Sequence, residues 1–417
     1  MSAVLGEQRE RALPWHWRRL LAAPHRIAFF LATVVLVAAG VWWAAVQLDR
    51  AGAGFGLGYA LSPSIVHAAA MTLGFMPLYF AGFLFTAGPR WLGVEAPGAR
   101  QVLPALATQA AGWLVWIAGA HISSTVALVG LAVAALGFTA NTLRFWGLVR
   151  RSEEDDRLHA KTIAFALSAG CVCLAGLLAA LAAQQDELAR RYVLTGLWAC
   201  VVVVYVTVAH RMIPFFTSSA LPMQHAWRPN WALALMLGLA GFEAASVWLG
   251  EAWLLPRAAV EIAGGAALLW LAFAWGLVQS LKIRLLAMLH LGFLWLGLGL
   301  MIAGFTHVVD AVSETPVLPL AALHAVTIGA LGSLMLAMVT RVTCGHSGRP
   351  LVADNLVWTL FWLLQGAALL RIAATLPGAP ATPLLATAAL TWAGVVLIWG
   401  MRNASWWGRP RADGRPG

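Results

Sequence analysis

The stretch IAFFLATVVLVAAGVWWAAVQLD, residues 27–49, carries no charge before its last position. About 20 apolar residues wound as an α-helix cross the roughly 30 Å hydrocarbon core of a bilayer. In lipid the backbone must satisfy its own hydrogen bonds, which leaves only helices and closed barrels. A run of this length without alternation is a helix. Eleven more such runs follow, so the set is 27–47, 64–87, 102–120, 124–148, 161–183, 191–213, 231–249, 258–280, 286–308, 317–341, 354–374 and 379–401. The chain therefore reads as all-α: a polytopic integral membrane helix bundle of about 12 transmembrane helices. Composition agrees, with 61% hydrophobic and 11% charged residues, against about 25% charged in soluble domains. The 22 tryptophans suit anchoring at the two interfaces.

Charge placement sets the orientation. Of the 27 Lys and Arg residues, only Arg50, Arg190, Arg191, Arg257 and Arg371 fall on the side opposite the N-terminus. The positive-inside rule then gives an N-in, C-in topology. It also accounts for the net charge of +10 without nucleic acid as a partner; the partner implied is the lipid bilayer. The expected organisation is a basic cytoplasmic segment 1–26, a transmembrane domain 27–401 and a basic, disordered cytoplasmic tail 402–417. The first apolar run is too long for a signal-peptide core and is followed by further spans, so it reads as an uncleaved helix. The third and fourth runs are joined by His121-Ile122-Ser123-Ser124 and form a tight hairpin.

Cys171, Cys173, Cys200 and Cys344 show no CxxC or CxxCH spacing. That excludes a zinc ribbon, covalent haem attachment by such a motif and a disulfide framework. Ionisable groups inside a membrane are costly and usually functional, and here they are few. Glu243 is the deepest carboxylate, fitting either a proton relay or a partner for Arg or His. Glu261 is expected at an interface, and Asn141 in a hydrogen bond between helices.

The histidines sort into levels once the topology is laid over them. His67, His121, His307 and His324 lie near the outer face; His210, His290 and His346 near the cytoplasmic face. His16, His25, His159 and His225 read as solvated. The stretch LHAVTIGALGSLMLAMVTRVTCGHSGRPL, residues 323–351, shows the spacing. At 1.5 Å per residue, His324 and Arg341 are roughly 25 Å apart, and His346 lies further on. These two histidines cannot ligate one metal. His290 and His307 repeat the arrangement on the preceding, oppositely directed span. A small-residue stripe, Ala321, Ala325, Gly329, Ser333 and Ala337, suits close helix packing or a wall for a planar cofactor. His67 and Met71, four residues apart, share a helical face and are both metal-ligand types. Pro77 is expected to kink its span and Pro214 to break the helix after His210 and Arg211, cations placed to hold an anion.

Four stretches carry a resemblance: HAAAMTLGFMPLYFAGFLFTAGPRWLG, AHRMIPFFTSSALP, LHLGFLWLGLGLMIAGF and residues 323–351. The chain resembles the NnrS family of multi-span membrane proteins, the last stretch being the most specific. The likeness implies a bacterial inner-membrane protein that binds haem and copper and serves the response to nitric oxide and nitrosative stress, associated with denitrification. Some members read His-Ala-His-Glu-Met at the head of the second span. Here it is His67-Ala68-Ala69-Ala70-Met71, so a second histidine and a glutamate are missing.

On that resemblance, His67 and His324 are the expected ligands of an outer site, with His121, His307 and Met71 as further metal ligands. His210, His290 and His346 are expected to form an inner cofactor site, with Arg211, Arg341 and Arg349 as propionate partners. The expected small ligand is nitric oxide. A haem–copper oxidase core is disfavoured because the chain has no His-His or His-x-His. The alternative is a twelve-helix secondary transporter using membrane histidines for substrate or protons; sparse intramembrane carboxylates count against it.

Overall fold

The computed structural model describes residues 14–221, 225–313 and 317–415. All regular structure among them is helical. Eleven helices are long and apolar enough to cross a membrane: α1 (Pro24–Ala53), α2 (Pro63–Trp91), α3 (Ala99–Ile122), α4 (Ser124–Arg151), α5 (Leu158–Ala182), α6 (Asp186–Ala220), α8 (Glu251–Ala274), α9 (Arg284–Asp310), α10 (Ala321–His346), α11 (Asn355–Ala373) and α12 (Ala381–Trp407). Between α6 and α8 lies α7 (Asn230–Ser246), a shorter helix of 17 residues. At 1.5 Å per residue it measures about 26 Å, slightly under the bilayer core.

Two observations make α7 a crossing. Trp248, just past its end, donates through Nε1 to Thr195 Oγ1 near the start of α6 at 3.0 Å, so α7 runs back along α6. The chain ends also share one face. Trp15 Nε1 donates to Ala404 O at 3.0 Å, His16 N to Gly408 O at 2.9 Å, and Arg26 Nη1 to Trp407 O and Arg409 O at 3.1 and 2.9 Å. Eleven crossings would put these groups on opposite faces; twelve bring them together. Exposed Trp231 and Trp248 flank α7, where tryptophan anchors a short helix in the interface. The segment expected as a free tail is likewise tied down. Ala412 N donates to Ser347 O at 2.8 Å and Arg411 Nη1 to His346 O at 3.3 Å.

The α3–α4 hairpin forms as the sequence indicates. Ser123 caps α4 by accepting from Val126 N at 3.2 Å. A Cβ on Gly112 would lie 2.2 Å from Ala134 N, and one on Gly130 2.5 Å from Trp116 N; only glycine lets the backbones approach this closely. Asn141 Nδ2 donates to Gln109 Oε1 across the pair at 3.0 Å. The small-residue stripe of α10 is used for packing. Gly329 abuts the Trp295 ring of α9, Trp295 Nε1 donates to Gln365 Oε1 of α11 at 2.7 Å, and Gln365 Nε2 donates to Ser333 Oγ at 2.9 Å. Neighbouring helices, not a cofactor wall, fill that face.

Four helices contain π-helical turns: α1 at Asp49–Ala53, α2 at Ala70–Gly74, α6 at Leu197–Val202 and α10 at Ala325–Gly332. In α2 the wide turn immediately precedes Pro77, which has no N–H for the carbonyl four residues back. Pro214 does not break its helix; α6 continues to Ala220 with the proline buried inside it. In a membrane, neighbouring helices and local rewinding re-satisfy the freed backbone groups.

Candidate functional site

Two of the π-helical turns follow directly on histidines: His67 stands three residues before that of α2, and His324 is the residue before that of α10. Such bulges occur frequently at functional sites. His67 is enclosed, stacked on Trp43 of α1 with ring centroids 3.8 Å apart and planes 15° apart. Its Nδ1 is buried without a hydrogen-bond partner. It lies within electrostatic range of His324, Arg371 and Arg50, and His324 in turn of Arg371. Arg50 also covers the Trp43 ring, with Cζ 5.4 Å from its centroid. His324 Nδ1 donates to Leu320 O at 2.8 Å. That bond fixes the tautomer and leaves the Nε2 lone pair bare, as in histidines that bind metals. Helices α1, α2, α10 and α11 thus bring two imidazoles and two guanidiniums to one place near the outer face.

The other residues expected there do not join them. His121 has both nitrogens engaged: Trp42 Nε1 donates to its Nε2 at 2.7 Å, and its Nδ1 donates to Gly58 O at 2.8 Å. No lone pair is left for a metal, and the residue ties the loop before α2 to α3. His307 turns to α8, its Nδ1 2.6 Å from Glu261 Oε2. Met71 lies inside the π-helical turn and packs against the core; the wider turn removes the regular four-residue register that would place it under His67.

The inner level is not one site either. The expected trio His210, His290 and His346 is divided among three partners, because each helix presents its histidine to a different neighbour. His210 Nδ1 meets His159 Nε2 at 3.0 Å, and its Nε2 donates to Pro229 O at 3.1 Å. His159 is buried, not solvated as the sequence suggests. His290, fully buried, contacts Thr217 Oγ1 through Nε2 at 2.9 Å. The Thr217 hydroxyl proton goes to Ile213 O, so His290 Nε2 is the donor and its buried Nδ1 keeps a lone pair. His346 meets His25 of α1, ring centroids 4.4 Å apart. His25 is 3% exposed, again not solvated. These two imidazoles line a cavity of about 510 Å³ together with Phe85, Pro89 and Arg90.

The arginines expected to hold propionates are each stacked on an aromatic ring: Arg211 on Trp91, Arg341 on Phe216 and Arg349 on Trp406, with Cζ to centroid distances of 4.8, 3.8 and 4.2 Å. Cation–π attraction accounts for these placements. Arg50 and Arg371, which lie near His67, are the cations that sequence reasoning missed. Both fall on the arginine-poor side of the membrane, and that rarity was the available signal.

A separate polar cluster occupies the outer ends of α7, α8 and α9. Glu261 is fully buried rather than interfacial. It is held by His307 and by Arg257, whose Nη2 lies 3.7 Å from Oε1. Glu243, also buried, lies within electrostatic range of Glu261.

Among the described residues no group of three or more His, Cys, Asp or Glu side chains is placed to hold a metal ion. The profile of the family described as NnrS protein matches residues 19–411, nearly the whole chain. No curated protein matches it.

Proposed function

The chain belongs to the NnrS family, and from that premise we propose a haem- and copper-binding protein of the bacterial inner membrane that binds nitric oxide in the response to nitrosative stress. The observation that carries this reading is the His67–His324 pair. His324 has its tautomer fixed by Leu320 O, and His67 has an orphaned buried Nδ1. Neutral imidazole is a ligand for both haem iron and copper.

The donor set fits haem. His67 and His324 would hold the iron, and Arg50 and Arg371 are the nearest cations for propionates. Bound there, haem would supply an iron centre to which nitric oxide binds in exchange for one of the two imidazoles. The residues do the rest: Trp43 fixes the His67 ring, and Leu320 O keeps a lone pair on His324 Nε2. Copper fits less well, because among the described residues no third His, Cys, Asp or Glu side chain joins the pair. The test is the absorption spectrum and metal content of the protein purified from haem-replete cells. A Soret band that disappears in His67→Ala and His324→Ala supports the reading. A folded, colourless and copper-free protein overturns it.

One observation favours a second reading. The Glu243–Glu261–Arg257–His307 cluster is the kind of buried, protonatable group that a proton-coupled secondary transporter uses. Proton uptake into proteoliposomes driven by a solute gradient, and abolished by Glu261→Gln, would establish it.

A further inference from the structure

The cavity between the start of α1 and the end of α2 does not take part in the metal reading, and its chemistry differs from that of the outer pair. Its walls are Ala23, Pro24 and His25 from α1, Phe85, Thr86, Pro89 and Arg90 from α2, and His346. His25 is 97% buried, and its Nδ1 has no hydrogen-bond partner. Arg90, at the mouth, is exposed and forms no hydrogen bond or ion pair among the described residues. Arg26 and Arg411 are within electrostatic range of the imidazoles, as is Arg90 of His346. The cavity also lies at the first turn of a 25-residue α-helical stretch, whose dipole favours negative charge. Of the carboxylates nearby, Asp413 pairs with Arg411 at 2.6 Å, Glu154 lies over Gly93 at the lip, and exposed Glu95 stands between the lining residues Val94 and Ala96.

With Arg411 neutralised by Asp413, the guanidiniums of Arg90 and Arg26 beside two imidazoles disfavour a metal cation and favour an anion. We propose that this cavity is a phosphate-group site, with Arg90 as the charged clamp and His25 and His346 as N–H donors from the wall. The apolar side chains Phe85, Pro89 and Val94 and the position at the membrane face suit the headgroup of an anionic lipid; free phosphate offers the same chemistry.

The experiment uses the full chain in phosphatidylcholine nanodiscs, with inorganic phosphate titrated by calorimetry and phosphatidylglycerol retention read by native mass spectrometry. Binding of either probe is expected, weakened about tenfold or more in Arg90→Ala. His346→Phe keeps the ring volume and should weaken it as well. Arg100→Ala removes an exposed charge from the same face and should leave binding unchanged. Phosphatidylglycerol retained without phosphate binding identifies a lipid site, and phosphate binding a site for a soluble anion. Failure of both probes, or equal effects of Arg90→Ala and Arg100→Ala, overturns the proposal. Because the readout is anion binding and not a spectrum, its outcome is independent of whether haem is found.

Discussion

The two ends of α10 carry the same residue type and have been given different chemistry. At the outer end, His324 has one nitrogen fixed by a backbone carbonyl and the other bare, and it shares its surroundings with a histidine stacked on tryptophan. At the inner end, His346 lies against His25 on the wall of a cavity with Arg90 at its mouth. The helix supplies the depth of each ring. The neighbours decide whether the ring offers a lone pair to a metal or an N–H to an anion.

The largest expected effect separates the ends by spectrum. His67→Ala or His324→Ala should abolish the haem band and bound metal, whereas His346→Phe should leave both in place. Equal loss from both ends, read by absorption and metal analysis, would break the comparison. Next come the histidines that hold protein partners in place. His121→Ala leaves the part-buried Trp42 donor without its acceptor, and His159→Ala leaves His210 Nδ1 unpaired. Each should destabilise the chain by about 1–3 kcal/mol, the cost of an unsatisfied buried polar group. Thermal unfolding in detergent measures this, and the haem spectrum of the folded fraction should not change.

Smaller is Trp43→Ala, which removes the stack beneath His67. Aromatic pairs contribute about 0.5–1.5 kcal/mol beyond area burial, so metal affinity should fall several-fold without vanishing. Competition with a chelator would show it, and an unchanged affinity would mean that the stack does not position His67.

The smallest effect concerns the inner face, where Asp354 caps α11 by accepting from Val357 N at 3.0 Å and pairs with Arg402. The Arg402 guanidinium holds the Asp354 carboxyl below its ordinary value. The contribution is therefore present above the unfolded-state value, about 3.9, and is lost as pH falls through the lower folded value. Thermal stability should drop over that acid range, and less so in Arg402→Ala. Asp354→Ala should cost about 1 kcal/mol through the lost cap.

Much of the frame was legible because its cause is local. Apolar runs of spanning length must become helices in lipid, and the short join between the third and fourth runs could only be a tight hairpin. That Asn141 would bond between helices was equally readable, since a buried amide needs a partner; that the partner is Gln109 came from the packing. The histidine levels followed from rise per residue alone. The partners did not. His25 and His159 sit near helix ends where solvation is the simplest expectation, and only packing against α10 and α6 buries them. Pro214 looked like a helix breaker because sequence cannot show which neighbours will accommodate the freed backbone.

The sequence by itself determined the membrane class, the helices and the depth of each histidine, since all three depend on hydrophobic length and helical rise. Which imidazole meets which neighbour was decided by the tertiary structure alone. Rotation of each helix about its axis, shifted further by the π-helical turns after His67 and before His210 and in α10 after His324, sets where a side chain points. That rotation is fixed by packing among helices far apart in the chain.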